Sequence, residues 1–342
     1  MISLKDVGKT YSTGYGLVHA VNDVSLEIPK GMIFGVIGHS GAGKSTLVRC
    51  INLLERPTSG CVVIDGVDMT KLSKKELNKR RKKIGMVFQN FNLMPSRTAL
   101  GNVMLPLVDT KMPKQKIRQK AEELLNLVGL SHRLDAYPAA LSGGEKQRVA
   151  IARALASDPD VLLCDEVTSA LDPGSTKAIL RLIKDLNAKL GITVVLITHE
   201  MAVIKEICHN VAVMEGGIVH EAGDVYSLFA TPKSQVAKEF VASTNNMSQL
   251  HELIEADSPL VQLSEGESLV KLTYLEKSAK SNLLQESSAR FNVKANIFFG
   301  NIEIISERPI GYLVIILKGH RNDKESMLAF LRENEVIVEV IK

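Results

Sequence analysis

Short apolar runs alternate with longer segments of helical spacing along the first 240 residues of the chain. Runs that are apolar throughout are typical of parallel strands covered by helices on both faces. Near the start, apolar and polar residues alternate instead, which predicts antiparallel edge strands. The continuous runs are 34–37, 161–164 and 193–197, and the alternating ones are 2–4 and 24–28. The pattern predicts an α/β domain over residues 1–240, with a buried parallel sheet and an antiparallel edge.

A polar stretch at residues 243–248 interrupts this pattern and predicts a linker over residues 241–266. Beyond it, strand and helix patterns follow one another in the order β-α-β-β-α-β, which is that of a ferredoxin-like domain. Strands are expected at 269–275, 295–305, 311–317 and 336–341, and helices at 281–291 and 325–332. Residues 267–342 are therefore predicted to form a second, α+β domain.

Composition limits the kinds of partner. The net charge of +4, from 42 Lys and Arg against 38 Asp and Glu, is too small to indicate nucleic acid binding by itself. Four scattered cysteines without a CxxC pair indicate a reducing compartment, without a disulfide framework or a zinc site. No stretch approaches the ~20 apolar residues of a membrane span, so a membrane role is expected to act through a partner.

A phosphate-binding loop follows the first buried run. Residues 38–46 satisfy the pattern G-x-x-x-x-G-K-[ST] directly after Ile37, and a helical segment follows, which is the context of a P-loop. Its glycines allow backbone N–H groups to surround phosphates. Lys44 is expected to neutralise the β- and γ-phosphates, and Ser45 to place its hydroxyl on Mg²⁺. The predicted nucleotide-binding residues are Gly38, His39, Ser40, Gly41, Ala42, Gly43, Lys44, Ser45 and Thr46.

Three further strand ends carry polar side chains that suit the same nucleotide. Asp165 and Glu166 follow the second buried run, where a carboxylate needs a balancing cation or proton. Asp165 is predicted to bind Mg²⁺ and Glu166 to act as general base on the attacking water, with a helix N-cap as the alternative for either one. His199 follows the third run and is a candidate γ-phosphate sensor, and Gln89 after residues 84–88 could reach the metal or the water.

The segment Leu141–Glu145 predicts an unusual helix start. Ser142 and Glu145 form a capping box, yet Gly143 and Gly144 fill the first turn, where each costs about 1 kcal/mol relative to Ala. Bare N–H groups at a helix N-terminus bind anions, and a poorly optimised cap is the alternative. Because the P-loop already provides a phosphate site, the chain has two predicted phosphate sites for one nucleotide.

These motifs resemble those of the ATP-binding cassette ATPases, and more closely those of the ATPase subunits of bacterial methionine importers. The stretches that carry the closer resemblance are 40–58, 162–166 and 198–201. The resemblance implies a P-loop cassette with an antiparallel edge subdomain and a helical subdomain, which binds ATP and Mg²⁺. In this family two cassettes pair head to tail, so residues 142–145 would contact the ATP of a second copy.

The resemblance also assigns roles to single residues. It implies that Gln89 joins Ser45 and Asp165 at the metal and that Asp172 belongs to the D-loop. It implies that Tyr11 stacks on adenine, although an ordinary edge-strand tyrosine is the alternative. Glu145 stands where glutamine is usual in these subunits, and its negative charge near a γ-phosphate could weaken binding.

The same resemblance covers the second domain. In these subunits a C-terminal ferredoxin-like (ACT-like) domain binds methionine and inhibits transport, and the segment around Asn296 resembles its ligand side. The implied partners are integral membrane permease subunits and, indirectly, a periplasmic or lipid-anchored substrate-binding protein, with no nucleic acid. The implied location is peripheral, on the cytoplasmic face of the bacterial inner membrane. The alternatives are an importer of another amino acid or a peptide, and a soluble cassette ATPase acting on nucleic acid or ribosomes.

Overall fold

The apolar runs of the first 224 residues form two sheets in the computed structural model, which describes residues 1–14, 16–244, 258 and 261–342. In chain order the strands are β1 (Ile2–Thr13), β2 (Gly16–Ile28), β3 (Ile33–Ile37), β4 (Ser59–Ile64), β5 (Val67–Asp68), β6 (Ile84–Val87), β7 (Val161–Asp165), β8 (Thr193–Thr198), β9 (Asn210–Glu215) and β10 (Ile218–Asp224). One sheet has the order β2-β1-β4-β5, and the other β10-β9-β3-β8-β7-β6.

The larger sheet is the buried one. Strands β9, β3, β8, β7 and β6 run parallel, and only β10 pairs antiparallel to its neighbour. Every residue of β3, β7 and β8 is buried. This burial is the physical reason for their continuously apolar central residues, because both faces of such a sheet are covered.

The smaller sheet is antiparallel, and its alternating residues pack against the larger one. Leu4 and Val24 of the small sheet join Val36 and Ile197 of the large sheet in one buried cluster, which also includes Leu47. Alternation is expected of strands with one face on the core and one in solvent. The two sheets therefore enclose a hydrophobic core between them, and they confirm the predicted α/β class.

Helices of this unit cover the parallel sheet and form a separate group beside it. They are α1 (Lys44–Ile51), α2 (Lys74–Arg81), α3 (Ala99–Met104), α4 (Lys114–Leu127), α5 (Gly143–Leu155), α6 (Pro173–Leu190) and α7 (Met201–Ile207). The group α3–α5 lies between β6 and β7 in the chain, and its members pack on one another. No described helix is long and apolar enough to span a membrane.

Residues Val225–Lys342 form a second compact unit, and the first unit ends at Asp224. Its elements are α8 (Val225–Ala230), α9 (Gln235–Thr244), β11 (Glu267–Tyr274), α10 (Leu283–Arg290), β12 (Lys294–Ile305), β13 (Arg308–Lys318), α11 (Arg321–Glu333) and β14 (Val336–Val340). The sheet is antiparallel, in the order β12-β13-β11-β14. From β11 onward the order β-α-β-β-α-β is the predicted ferredoxin-like one.

Helix α8 packs within the second unit through its aromatic residues. The Tyr226 hydroxyl accepts a hydrogen bond from the backbone N–H of Glu276 (2.9 Å) and donates one to the carbonyl of Pro309 (3.2 Å). Arg308 lies over the Tyr226 ring at 4.0 Å. These contacts explain why the compact unit begins at Val225, ahead of the boundary at residue 240 drawn from the sequence. The predicted linker lies largely outside the described residues, and the predicted boundaries stay predictions.

Candidate active site

The carboxyl ends of neighbouring parallel strands place the predicted ATP-site residues along one edge of the larger sheet. Strand β3 leads into the P-loop, and its neighbour β8 leads to His199. Strand β7, on the other side of β8, leads to Asp165 and Glu166, and β6 beside it ends two residues before Gln89. Ligands of open α/β sheets bind at this kind of edge.

Two P-loop glycines are required by close packing. A Cβ on Gly38 would lie 2.1 Å from the carbonyl oxygen of Met214, and one on Gly43 would lie 2.0 Å from that of Ala20. Gly43 is also left-handed, with φ of 95°, and it is the N-cap of α1 without a side-chain cap. The loop therefore turns tightly into α1 and leaves the N–H groups at the helix start bare, as phosphate binding requires.

Lys44 spans the inside of this loop. It is buried, and its Nζ donates hydrogen bonds to the carbonyls of Gly38 (2.8 Å) and His39 (2.9 Å). Burial lowers the pKa of Lys44, while the negative charges of Glu166 and Asp165 oppose that shift. The ammonium group is thus held next to the loop by carbonyls that an incoming phosphate can replace.

Asp165 and Ser45 form the part of the site that suits a metal ion. The Ser45 hydroxyl donates to Oδ1 of Asp165 at 2.7 Å, and Nη2 of Arg49 lies 3.7 Å from Oδ2. Asp165 is buried, so these partners compensate its charge. A hydroxyl and a carboxylate are oxygen donors of the kind Mg²⁺ prefers, together with waters and substrate phosphates.

Glu166 has a strained backbone that directs its carboxylate. Its φ is 49°, in the left-handed region, and its N–H donates to the carbonyl of Ile197 at 3.2 Å. Such conformations cost about 1–3 kcal/mol and persist where the surrounding structure imposes them, often at active sites. Oε1 of Glu166 lies 3.6 Å from Nδ1 of His199, so the base and the sensor candidates are neighbours.

The remaining predicted residues lie on surrounding segments. Gln89 is exposed just beyond β6, and Tyr11 on β1 is half-buried, with Nζ of Lys9 at 4.9 Å from its ring centre. Asp172 is the N-cap of α6 and accepts the N–H of Ser175 at 3.0 Å, and hydrogen bonds to Ser175 lower the pKa of this carboxyl. The surroundings of these three residues do not by themselves indicate a nucleotide.

The start of α5 has the predicted capping box. Oγ of Ser142 accepts the N–H of Glu145 (3.3 Å), and Oε2 of Glu145 accepts the N–H of Ser142 (2.9 Å). The glycines also serve packing within the chain, since a Cβ on Gly144 would lie 3.0 Å from Oγ of Ser175. That contact, made by α6 far along the chain, could not be read from the sequence.

Three arginines contact the site and were missed by sequence reasoning. Arg49 stands four residues after Ser45 on α1, a spacing that places both on one helix face and could have indicated it. Nη1 and Nη2 of Arg153, on α5, donate to the carbonyls of Asn92 (2.5 Å) and Phe91 (2.8 Å), both left-handed residues after Gln89. Arg133 pairs with Glu145, and no sequence pattern signals that contact.

Protein-family models match both units. The ABC transporter family model matches residues 21–169, which include the P-loop, β7 and the start of α5. The NIL domain model matches residues 268–340, which span β11 to β14. The methionine import ATP-binding protein MetN 1 of Enterococcus faecalis is 47% identical over 342 residues, which cover 100% of this chain and 96% of that protein. The chain belongs to the family of methionine import ATP-binding proteins.

Another member of this family and two solved structures are similar to this chain over nearly their whole lengths. The protein of this name from Vibrio vulnificus is 48% identical over 341 residues, covering 100% of this chain and 99% of its own. An ATP-binding cassette solved as a dimer after hydrolysis, with ADP and phosphate, is 40% identical with a TM-score of 0.61, and covers 66% of this chain and 99% of its own. The protein cbiO1 of Clostridium perfringens, part of an ABC transporter complex, is 31% identical with a TM-score of 0.61, covering 74% of this chain and 98% of its own.

Proposed function

We propose that this chain is the ATP-hydrolysing, energy-coupling subunit of a methionine importer. The observation that carries the proposal is the match to methionine import ATP-binding proteins along the whole chain, together with the catalytic groups at one sheet edge. In this function the chain works on the cytoplasmic face of the bacterial inner membrane, bound to permease subunits. A periplasmic or lipid-anchored binding protein delivers methionine to the permease.

The residues at the sheet edge divide the chemistry of hydrolysis among them. Backbone N–H groups of residues 38–46 surround the phosphates, and Lys44 moves from the loop carbonyls to the β- and γ-phosphates. Glu166 orients the attacking water and takes its proton, and His199 beside it contacts the γ-phosphate. Ser45, Asp165 and Gln89 would hold Mg²⁺, which supplies charge neutralisation at the phosphates.

Two anion sites for one nucleotide support a head-to-tail homodimer. The P-loop and the start of α5 are both helix N-termini with bare glycine N–H groups. In the proposed dimer, Ser142, Gly143, Gly144 and Glu145 of one copy close over ATP on the P-loop of the other. A 40% identical cassette was solved as a dimer with ADP and phosphate, which supports the formation of a dimer.

The second unit is proposed to bind methionine and to inhibit the ATPase. It offers an exposed amide, Asn296, on the edge strand β12, where it pairs with Ile316 on the sheet face away from the helices. On the helix face it has a cavity of about 310 Å³ with a largely apolar lining. Tyr274 lines this cavity, its buried hydroxyl has no hydrogen-bond partner among the described residues, and burial raises its pKa to about 12. Asn296 and this cavity lie on opposite faces of the sheet, so they are alternative methionine sites; a thioether side chain suits the surroundings of the cavity.

Inhibition requires methionine to bind one arrangement of the dimer better than the other, because a ligand shifts an equilibrium only by its difference in affinity.

Replacing Asn296 by alanine is expected to weaken methionine binding, so that the ATPase rate with methionine equals the rate without it. The rate should be measured as phosphate release over a methionine titration. Inhibition of the variant at the wild-type methionine concentration would contradict the role of Asn296.

Co-purification from membranes followed by transport in vesicles tests the proposed function. Recovery of the chain with an integral membrane protein, and ATP-dependent methionine uptake by vesicles holding that complex, are the expected results. Recovery with ribosomes or DNA and without a membrane protein would overturn the importer. Uptake of another amino acid or a peptide in place of methionine would contradict only the proposed identity of the transported substrate.

A further inference from the structure

The start of α5 carries a charge that opposes its proposed ligand. The bare N–H groups of Gly143 and Gly144 and the helix dipole both favour an anion. Glu145 brings a carboxylate into the same turn, and its pKa is lowered, first of all by the hydrogen bond from the backbone N–H of Ser142. Glu145 is therefore ionised at neutral pH, and without compensation it would repel a phosphate bound at this helix end.

Arg133 supplies that compensation. It ends the short 3₁₀ turn Ser131–Arg133, and its Nε donates to Oε1 of Glu145 at 2.9 Å. The other oxygen of Glu145 accepts the N–H of Ser142, so both carboxylate oxygens are bound and the group is fixed over the N-cap. The Glu145 side chain is 21% exposed and that of Arg133 is 43% exposed, so the guanidinium is partly accessible from solvent.

We propose that Arg133 is a positioning residue of the ATP site shared between two copies. It neutralises Glu145 and holds that carboxylate over the N-cap, so that the start of α5 remains electropositive toward the γ-phosphate on the partner copy. The inference rests on the proposed head-to-tail dimer. It adds the residue whose positive charge offsets the negative charge of Glu145 next to the bound phosphate. A surface ion pair contributes little to fold stability, so the pair is expected to act on ATP binding.

The test begins with Arg133→Met in the full chain, which keeps the aliphatic stem and removes the charge. The apparent KM for ATP should rise about tenfold while kcat stays within about twofold, since the lost interaction acts on ATP capture across the dimer. The KM and kcat are measured by phosphate release. In a Glu166→Gln background, the ATP concentration needed for dimerisation should rise by the same factor.

Rescue separates charge compensation from a merely structural role. The amide oxygen of Glu145→Gln can still accept the N–H of Ser142, but the variant carries no charge. In that background Arg133→Met should change the KM by less than about twofold. An equal rise of KM in both backgrounds, or no rise in either, would overturn the proposal.

A second ion pair in the same unit provides the matched control. Arg118 donates through Nε to Oε1 of Glu122 at 2.8 Å, on the exposed surface of α4. Arg118→Met removes the same kind of contact and should leave the KM unchanged. If Glu166→Gln forms no dimer with ATP, the proposed composite site fails. If it forms the dimer and Arg133→Met has no effect, only the role of Arg133 fails.

Discussion

Replacing Glu166 by glutamine should stop ATP turnover and leave ATP binding in place. Glutamine keeps the shape of the side chain but cannot take a proton from the attacking water, and general-base catalysis contributes about 10²–10⁴-fold to a rate. The strained backbone at φ 49° and the contact with Ile197 remain, so the amide occupies the position of the carboxylate. Phosphate release and the binding of a fluorescent ATP analogue measure the two effects separately.

The same variant should accumulate as a dimer with ATP, because hydrolysis would no longer reopen the closed pair. Size-exclusion chromatography with light scattering, with and without ATP, gives the oligomeric state. Glu122→Gln, on α4 and half-exposed, is the control and should remain active. A Glu166→Gln protein that stays monomeric at saturating ATP would argue against the head-to-tail site.

Replacing Lys44 by alanine should lower ATP affinity by about tenfold to a hundredfold, since a hydrogen bond to a charged group is worth about 1.5–3 kcal/mol. Lys44 is buried against the loop, and its charge is the one placed to neutralise the phosphates. The P-loop backbone would still contact phosphate, so weak binding should remain. Titration of a fluorescent ATP analogue gives the dissociation constant.

Lys83 provides the control for this experiment. Like Lys44, it donates through Nζ to a backbone carbonyl, that of Asp158 at 3.0 Å, but it lies outside the P-loop. Lys83→Ala should bind ATP as the wild type does. Thermal unfolding of both variants shows whether they are folded. Wild-type ATP affinity in a folded Lys44→Ala protein would contradict the role of Lys44 in phosphate binding.

Parts of the fold could be predicted because buried positions are occupied by apolar residues, and this pattern is visible in the sequence. Strands β3, β7 and β8 are covered on both faces, so their central residues are apolar. The alternation at residues 24–28 of β2 matches a strand with one solvent face, whereas Ile2, Ser3 and Leu4 of β1 are all buried. The positions of Asp165, Glu166 and His199 follow from the same signal, since polar residues directly after buried strands lie at one edge of the sheet.

Other features depend on contacts between distant segments, which leave no local signal. The left-handed backbone of Glu166 is imposed by the chain around it, and glutamate is not a residue that indicates such a conformation. Arg133 meets Glu145 only because two separate turns fold side by side. The packing reason for Gly144 lies on α6, so the sequence indicated an anion site but not the close contact with Ser175.

The aromatic contacts of α8 bear on how the ATPase could be separated from its regulator. A shortened chain ending at residue 240 would retain α8 without the strands that its side chains pack on, and Tyr226 and Phe229, both buried in the whole protein, would face water. A chain ending at Asp224 would leave no such apolar remnant from this unit. Soluble, unregulated ATPase is therefore expected from the shorter fragment, and aggregation from the longer one.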